Sequence, residues 1–391
     1  MLLVIRSIRV TIIYMDDISQ QALTAHKKLR GKIEVTLKDQ LDNSDKLKLY
    51  YTPGVGAVSM YVAEHPEEAR EYTWINNSVA VISDGSAVLG LGNIGSLGAL
   101  PVMEGKCMLF KQFANIDAVP LVLDVHTADE IVTAVKAVAP SFGAINLEDI
   151  AAPICFEIEE RLKAELSIPI MHDDQHGTAV VVLAGLINAM KVVDKELSNS
   201  KIVLVGAGAA GVAIAKLLYK YSGASITAVD SKGIIEPTRV NLNDEKKLLL
   251  GFATDVKPGT LIDAIKNADV FIGVSRPGLL TAKMIETMAK DPIVFALANP
   301  TPEIMPDMAK QAGVAVMATG RSDFPNQVNN ALAFPGIFRG ALDNQVRAIT
   351  DDHKIATAEA IAEFIKKPTA EEIIPSIFAE GLTEKIATLI K

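Results

Sequence analysis

Residues 201–233 read KIVLVGAGAAGVAIAKLLYKYSGASITAVDSKG. The stretch opens on an apolar run, Ile202 to Val205, of the length of a buried parallel strand. Gly206, Gly208 and Gly211 follow in the G-x-G-x-x-G spacing. A helical segment then carries apolar residues at Val212, Ile214, Ala215, Leu217 and Leu218, and a second strand, Ser225 to Val229, ends on Asp230. The glycines serve a tight turn, close approach of a pyrophosphate to the backbone, and close packing of helix on strand. The turn, with Ala207, Ala209 and Ala210 between its glycines, leads into a helix N-terminus whose free N–H groups and dipole suit phosphates. Asp230, 19 residues beyond Gly211, stands where an acid accepts from a ribose hydroxyl. A glycine turn that binds nothing would account for the glycines alone, but not for strand, glycines, helix, strand and acid in this order.

Downstream, strands at 269–274, 293–298 and 314–318 alternate with helices at 281–290 and 303–312, which predicts a doubly wound sheet of the Rossmann type. Asn299-Pro300 and Gly320-Arg321-Ser322 fall at strand ends, where cofactor and substrate should meet. Upstream, Val79 to Ser83 reads as a strand, Asp84-Gly85 as a hairpin turn and Ala87 to Leu89 as its return. A second G-x-G-x-x-G at Gly90, Gly92 and Gly95 is not read as a dinucleotide site. Its following segment holds Gly98 and is cut by Pro101, and no acid stands at the right distance. A helix is expected over 104–114, then strands at 121–124, 144–147 and 168–171 with helices at 127–138 and 154–166 between them. Such a run predicts parallel strands with ligands at their carboxyl ends. Glu148-Asp149 and His172-Asp173-Asp174 stand at two of those ends. An apolar helix, 178–193, bridges to the nucleotide half, and 353–391 reads as helical, packing back on the first domain.

The chain has 391 residues, 49% apolar and 22% charged, with a net charge of −9. That suits a globular protein of more than one domain and disfavours nucleic acid as a partner. Its two cysteines, Cys107 and Cys155, exclude a disulfide framework and fit core positions in a reducing cytoplasm. The first 14 residues, MLLVIRSIRVTIIY, are too short and too often broken by arginine to span a bilayer, and lack a leader cleavage site. We expect them to be an extension from an upstream start. Residues 15–177 are then a substrate- and metal-binding α/β domain, 178–345 the dinucleotide domain, and 346–391 C-terminal helices.

Four carboxylates at adjacent strand ends repel one another unless a cation or proton lies among them. Carboxylate oxygens suit Mg²⁺ or Mn²⁺, and the ligand set favoured here is Glu148, Asp149 and Asp174. Helix capping or ion pairing is the plainer alternative. His172 and His176 are read as structural neighbours of the site. On their own, Lys106 reads as a surface lysine of a helix and Tyr51 as a packed loop aromatic.

Several motifs, in order, resemble the malic enzyme family in its short bacterial form. They are Tyr51-Thr52-Pro53-Gly54-Val55-Gly56, Asp84-Gly85 with Gly90 to Gly95, Gly105-Lys106, Leu147-Glu148-Asp149, His172 to Thr178, Asn299-Pro300-Thr301 and Asn329-Asn330. The resemblance spans about residues 20 to 380. It implies metal-dependent oxidative decarboxylation of L-malate to pyruvate. Lys106 would be the general base, with a pKa lowered for the task, Asp173 would position it, and Tyr51 would protonate the enolate. Asn299 and Asn330, or Asn329, would hold substrate carboxylate or cofactor amide. It also implies a homodimer.

One departure from the family pattern stands at Ser86 and Ala87, where larger members carry an arginine for malate's carboxylate. Backbone N–H groups of Gly92 to Gly95, the asparagines and Lys111 are the replacement candidates. Asp230 favours NAD by repelling a 2′-phosphate, although Ser231-Lys232 leaves NADP open. The rival readings are a non-oxidative oxaloacetate decarboxylase of the same family and a nicotinamide-binding protein without catalysis.

Overall fold

The computed structural model describes residues 17–88, 91–240, 242–253 and 256–391. The expected extension, residues 1–14, lies outside them, as do Leu89 of the expected return strand and Gly90 of the second glycine motif. Residues up to Gln40 form a unit of their own, with one described helix, Asp17–Leu29. The second unit, Leu41–Lys391, holds every strand among the described residues.

The strands are β1 Ser78–Ser83, β2 Asp117–Val122, β3 Ala144–Leu147, β4 Ile170–His172, β5 Lys201–Val205, β6 Ser225–Asp230, β7 Gly233–Ile234, β8 Val270–Gly273, β9 Ile293–Ala296 and β10 Val316–Thr319. They form two sheets. The first runs β2-β1-β3-β4 and is parallel throughout. The second runs β10-β9-β8-β5-β6-β7, parallel except for the short edge strand β7. β5 lies inside the sheet with β6 and β8 on either side, so the order of the strands reverses there, and the glycine turn comes directly after it. That is the switch point at which such sheets bind ligands.

Two sequence expectations change in the first half. Val79 to Ser83 does not open a hairpin. Both edges of β1 are taken by parallel neighbours, which leaves no edge for an antiparallel return. The segment after it is instead tied to the loop beyond β3. Ala87 donates its N–H to the Asp149 carbonyl at 3.0 Å, and Ser86 Oγ accepts from the Ala151 N–H at 2.9 Å. Second, the helix expected over 104–114 begins at Gly95 and runs through Pro101 to Ala114. Proline in an interior turn removes one N–H, here the one that would face the Leu97 carbonyl, on a turn whose Leu97 side chain is in water. The buried residues of this helix are Ala99, Met103, Lys106, Cys107, Phe110 and Ala114, spaced by three or four, so Lys106 falls on the core-facing stripe.

The bridging helix is also longer than expected. It starts at Asp173, directly after β4, and runs to Val192, with most of its residues buried. It packs against the glycine-turn helix Ala209–Ser222 and against Asp351–Phe364. Val79 and Val81 of the first sheet share one apolar cluster with Val180 to Leu186 of this helix and with Ile202 and Leu204 of the second sheet. The helix therefore joins the two sheets, and its first turn lies where both can reach it. Near the C-terminus, Leu382–Ala387 packs on Phe334–Asp343 and on Gly95–Ala114.

The glycine turn shows two different demands. A Cβ on Gly211 would lie 1.8 Å from the Gly206 carbonyl oxygen, whereas one on Gly208 would meet nothing within 4 Å. Gly211→Ala is therefore expected to destabilise the protein by about 1–3 kcal/mol, as overpacking does. Gly208→Ala should leave the melting temperature unchanged and weaken dinucleotide binding. Calorimetric melting of both variants alongside isothermal titration with NAD checks this, and equal melting points for the two would contradict it.

Candidate active site

The site begins with the register of two strands. Leu147, the last residue of β3, lies opposite His172, the last of β4. The residues just beyond these two ends are therefore side by side: Glu148-Asp149 on one, Asp173-Asp174 on the other. Asp149 is in the left-handed region, φ +54°, and its N–H donates to Asp174 Oδ2 at 2.7 Å. Asn146, on β3, donates to Glu148 Oε2 at 2.9 Å. One oxygen each of Glu148, Asp149 and Asp174 lies within 4.8 Å of the others. Burial pushes the Glu148 carboxyl well above the usual range; Lys106 opposes this, and Asp174, Asp173 and Asp149 add to it. The donor set is all oxygen, convergent and short of positive charge, which fits a hard divalent cation.

Lys106 reaches the same place from the helix Gly95–Ala114. Its Nζ lies 2.6 Å from Asp173 Oδ2 and 3.0 Å from Glu148 Oε1, and only 7% of the side chain is exposed. The Phe334 ring lies on another side, its centroid 4.3 Å from Nζ. Burial lowers the Lys106 pKa, but the carboxylates of Asp173 and Glu148 outweigh it and hold the ammonium well above its ordinary value. The lowered pKa that the resemblance implies is tied to burial near a cation; the chain by itself gives the lysine two touching anions. Asp173 is itself fully buried, and burial, against the pull of Lys106, raises its carboxyl. Asn330 also donates to Asp173 Oδ2, at 2.5 Å. A Cβ at position 177 would lie 2.0 Å from Asp173 Oδ1, so only glycine leaves that carboxylate in place.

Neither histidine of the motif belongs to the three-carboxylate group. His172 is fully buried, with Nδ1 3.7 Å from Asp174 Oδ2. His176 Nε2 meets Glu159 Oε2 at 2.9 Å, and Lys354 Nζ meets its Nδ1 at 3.0 Å. Burial, reinforced by Lys354 and only partly opposed by Glu159, takes the His176 pKa down to about 4. The ring is therefore neutral, with Nε2–H donating to Glu159 and Nδ1 accepting from Lys354. Glu159 Oε1 accepts the His172 N–H at 2.9 Å and pairs with Lys163 at 2.8 Å. Sequence reasoning misses Glu159 and Lys354, yet a signal exists. Glu159 lies with Cys155, Ile158 and Leu162 on the buried stripe of the helix Ile154–Glu165, and Lys354 with Thr357, Ala358 and Ile361 on that of Asp351–Phe364.

At the dinucleotide end, Gly206 has φ +110° and a helix starts at Ala209. Asp230 is not the bare carboxylate that the sequence suggests. Arg239 bonds both of its oxygens, at 2.9 and 3.0 Å, and Lys246 bonds Oδ2 at 2.8 Å. Despite burial, these bonds and the Lys232 N–H hold its pKa far below the usual carboxylate range. Two cations around one anion reduce its power to repel a 2′-phosphate. Asn299 is exposed just past β9. Asn329 spends its Oδ1 on the Ala331 N–H as a helix cap, so Asn330, not Asn329, is joined to the acidic site.

Of the groups considered in place of the missing arginine, Lys111 is committed to Asp117 at 2.8 Å, the Gly95 N–H to Asn93 Oδ1 and the Ile94 N–H to the Gly85 carbonyl. Ser86 itself links Asp84 to the loop carrying Glu148-Asp149. Tyr51 is 65% exposed, and no hydrogen bond or ring contact among the described residues joins it to Lys106 or the acids.

The pattern of the chain matches two family models: "Malic enzyme, N-terminal domain" over residues 30–130 and 126–163, and "Malic enzyme, NAD binding domain" over 175–390. The chain belongs to the malic enzyme family. It is 52% identical to the bifunctional malic/malolactic enzyme of Bacillus subtilis over 96% of this chain and 92% of that one. It is 47% identical to an NADP-dependent malic enzyme of Halomonas elongata, over 93% and 86%. The crystal structure of an NAD-dependent malic enzyme from Thermotoga maritima superposes with a TM-score of 0.92 at 47% identity, covering 95% of this chain and 98% of that one. In this malic enzyme family member the two matched regions bracket the Asp173-Asp174 turn, which opens the helix that joins the two sheets.

If the three acids hold a cation, Glu148→Gln and Asp174→Asn should each weaken Mn²⁺ binding by at least about tenfold, a scale on which even outer partners of metal ligands act. Electron paramagnetic resonance of free Mn²⁺ measures it directly. Wild-type affinity in both variants would remove the metal from this site.

Proposed function

We propose that the protein catalyses oxidative decarboxylation of L-malate to pyruvate and CO₂, with NAD reduced to NADH. The observation that carries this reading is the buried Lys106 ammonium in contact with Asp173 and Glu148, beside a convergent three-carboxylate group. Glu148, Asp149 and Asp174 would hold Mg²⁺ or Mn²⁺, which supplies Lewis-acid polarisation of the substrate's C2 oxygen. The glycine turn Gly206 to Gly211, with Ala207, Ala209 and Ala210, would seat the dinucleotide, which supplies the hydride acceptor.

The chain's own groups then divide the proton work. Lys106 takes the C2 hydroxyl proton at Nζ. To do so it must first yield the proton it carries, and Asp173 Oδ2, 2.6 Å away with its own proton affinity raised by burial, is placed to receive it. Asn330 holds Asp173 in line. Phe334 closes the apolar side of the lysine and keeps water from it. Tyr51 delivers a proton to C3 after CO₂ leaves, and Asn299 and Asn330 orient substrate carboxylate or cofactor amide. The working form is a homodimer in the cytoplasm. Among the described residues no helix is long and apolar enough to cross a membrane.

NAD is favoured over NADP because the Asp230 carboxylate ends the strand after the glycine turn, where a ribose hydroxyl would lie, with Arg239 and Lys246 narrowing the discrimination. In a panel of malate and oxaloacetate against NAD and NADP, with and without Mn²⁺, malate with NAD and Mn²⁺ should yield stoichiometric NADH and pyruvate. Loss of oxaloacetate with no NADH from malate at saturating metal would point instead to non-oxidative decarboxylation. A preference of about tenfold for NADP, roughly 1.4 kcal/mol, would overturn the cofactor assignment. Lys106→Ala should lower kcat by at least about 10²-fold with the fold retained, as loss of a general base does.

A further inference from the structure

Glu303 is fully buried and takes no part in the proton work of Lys106 and Tyr51. It stands in the loop beyond β9, after Asn299-Pro300. β8 and β9 run parallel, with Gly273 opposite Ala296, so the chain leaves the two strands side by side. The Glu303 carboxylate spans both exits. Its Oε1 accepts the Ser275 N–H at 2.9 Å and its Oε2 the Ala298 N–H at 3.1 Å. A Cβ on Gly273 would lie 2.4 Å from Glu303 Cδ, so the last residue of β8 leaves the carboxyl its room.

Two backbone N–H groups can be satisfied without charge, by an amide, a hydroxyl or a water. A buried carboxylate is the costlier solution and calls for positive charge nearby. Burial raises the Glu303 carboxyl, and what opposes it is backbone N–H groups, with no lysine or arginine among the described residues taking part. Arg276 is exposed, and Arg321 is bonded to both oxygens of Asp323, at 2.8 and 2.7 Å.

The crevice itself can supply the missing cation. β6 lies on one side of β5 and β8 on the other. Asp230, at the end of β6, marks the adenosine side, and the glycine turn after β5 takes the pyrophosphate. The nicotinamide half then falls on the side of β8 and β9. The glycine turn touches that side: a Cβ on Gly206 would lie 2.6 Å from the carbonyl oxygen of Val274, one residue before Ser275. Ser275 and Asn299 are exposed, so the carboxylate lies just beneath the crevice floor. Oxidised nicotinamide carries a positive charge that the reduced ring lacks.

We infer that the buried Glu303 carboxylate favours the cationic, oxidised nicotinamide over the reduced one, and so sets the ratio in which this chain binds NAD⁺ and NADH. Bound NAD⁺ is thereby a weaker hydride acceptor, and NADH leaves more readily. The inference rests on the dinucleotide seat proposed for the glycine turn, and not on the malate reaction. Unit charges about 10 Å apart, at an effective dielectric of about 20, alter an affinity on the order of tenfold.

The test compares NAD⁺, NADH and ADP-ribose, which lacks the nicotinamide, on wild type, Glu303→Gln and Glu303→Asp, with Mn²⁺ present throughout. NADH binding is read from its fluorescence, and the other two by displacing it. In Glu303→Gln the affinity for NAD⁺ relative to NADH should fall on the order of tenfold, while NADH and ADP-ribose change alike. Glu303→Asp keeps the charge and should hold that ratio within about twofold, even where all three affinities drop together. A residue that merely braces the two loops would change all three ligands alike in Glu303→Gln, and that result overturns the inference. So does a Glu303→Asp ratio that moves with that of Glu303→Gln. Because Glu303→Gln turns an amide donor toward a backbone N–H and can fail to fold, a second measurement uses the native protein. It should bind NAD⁺ at least as tightly as NADH, and a preference for NADH beyond about tenfold overturns the inference. Native protein that binds NAD⁺ in this way and yet oxidises no malate leaves the inference standing and removes the proposed reaction. Native protein that binds neither dinucleotide removes the seat, and the inference with it.

Discussion

The organisation of the molecule turns on one electrostatic constraint: four carboxylates, three of them buried, converge at the ends of two adjacent strands. Such a group is tolerable only if positive charge is built in beside it. Lys106 supplies part of that charge, touching Asp173 and Glu148 at 2.6 and 3.0 Å. One lysine against four acids leaves a deficit, which adds to burial in driving the Glu148 carboxyl upward in spite of its ion pair. The same deficit that makes the cluster costly in isolation makes it a receptacle for a divalent cation. Structural compensation and candidate chemistry are thus two aspects of one imbalance.

Much of the surrounding fold holds this charge pattern in position. The parallel pairing of β3 with β4 puts the two acidic pairs side by side, and the immediate start of a helix at Asp173 turns that residue inward and keeps Asp174 within reach of Asp149. Gly177 leaves room for the Asp173 carboxylate, and Asn330 reaches it from the dinucleotide half. Behind the turn, Glu159, neutral His176 and Lys354 tie the first helix turn to two further helices. Breaking one member of such a network strands a buried charge, so its elements hold or fail together.

Legibility differs with the range of the forces involved. The glycine turn, the parallel strands around it and the acids at strand ends depend on local spacing and period, and are plain in the sequence. Sheet pairing is not. Asp84-Gly85 has the composition of a hairpin turn, but whether β1 turns back depends on which strands occupy its edges, and those are β2 and β3, both drawn from later in the chain. Pro101 reads as a helix stop because proline removes an N–H, and packing of the stripe from Ala99 to Ala114 outweighs that loss. Glu159 and Lys354 are readable as charges on apolar stripes, but a charge on a stripe does not name its partner.

The sequence by itself determined that this is an α/β protein with a dinucleotide turn and acids at strand ends, because those features depend on residue type and on spacing along the chain. Tertiary structure decided the protonation of the site and the pairing of its acids. Lys106 carries a raised rather than a lowered pKa since its nearest neighbours are anions from residues 42 and 67 positions away. Asp230 is neutralised by Arg239 and Lys246, and a sequence that shows all three residues does not show that they meet. Coulomb energy depends on distance in space, and only the folded chain sets that distance.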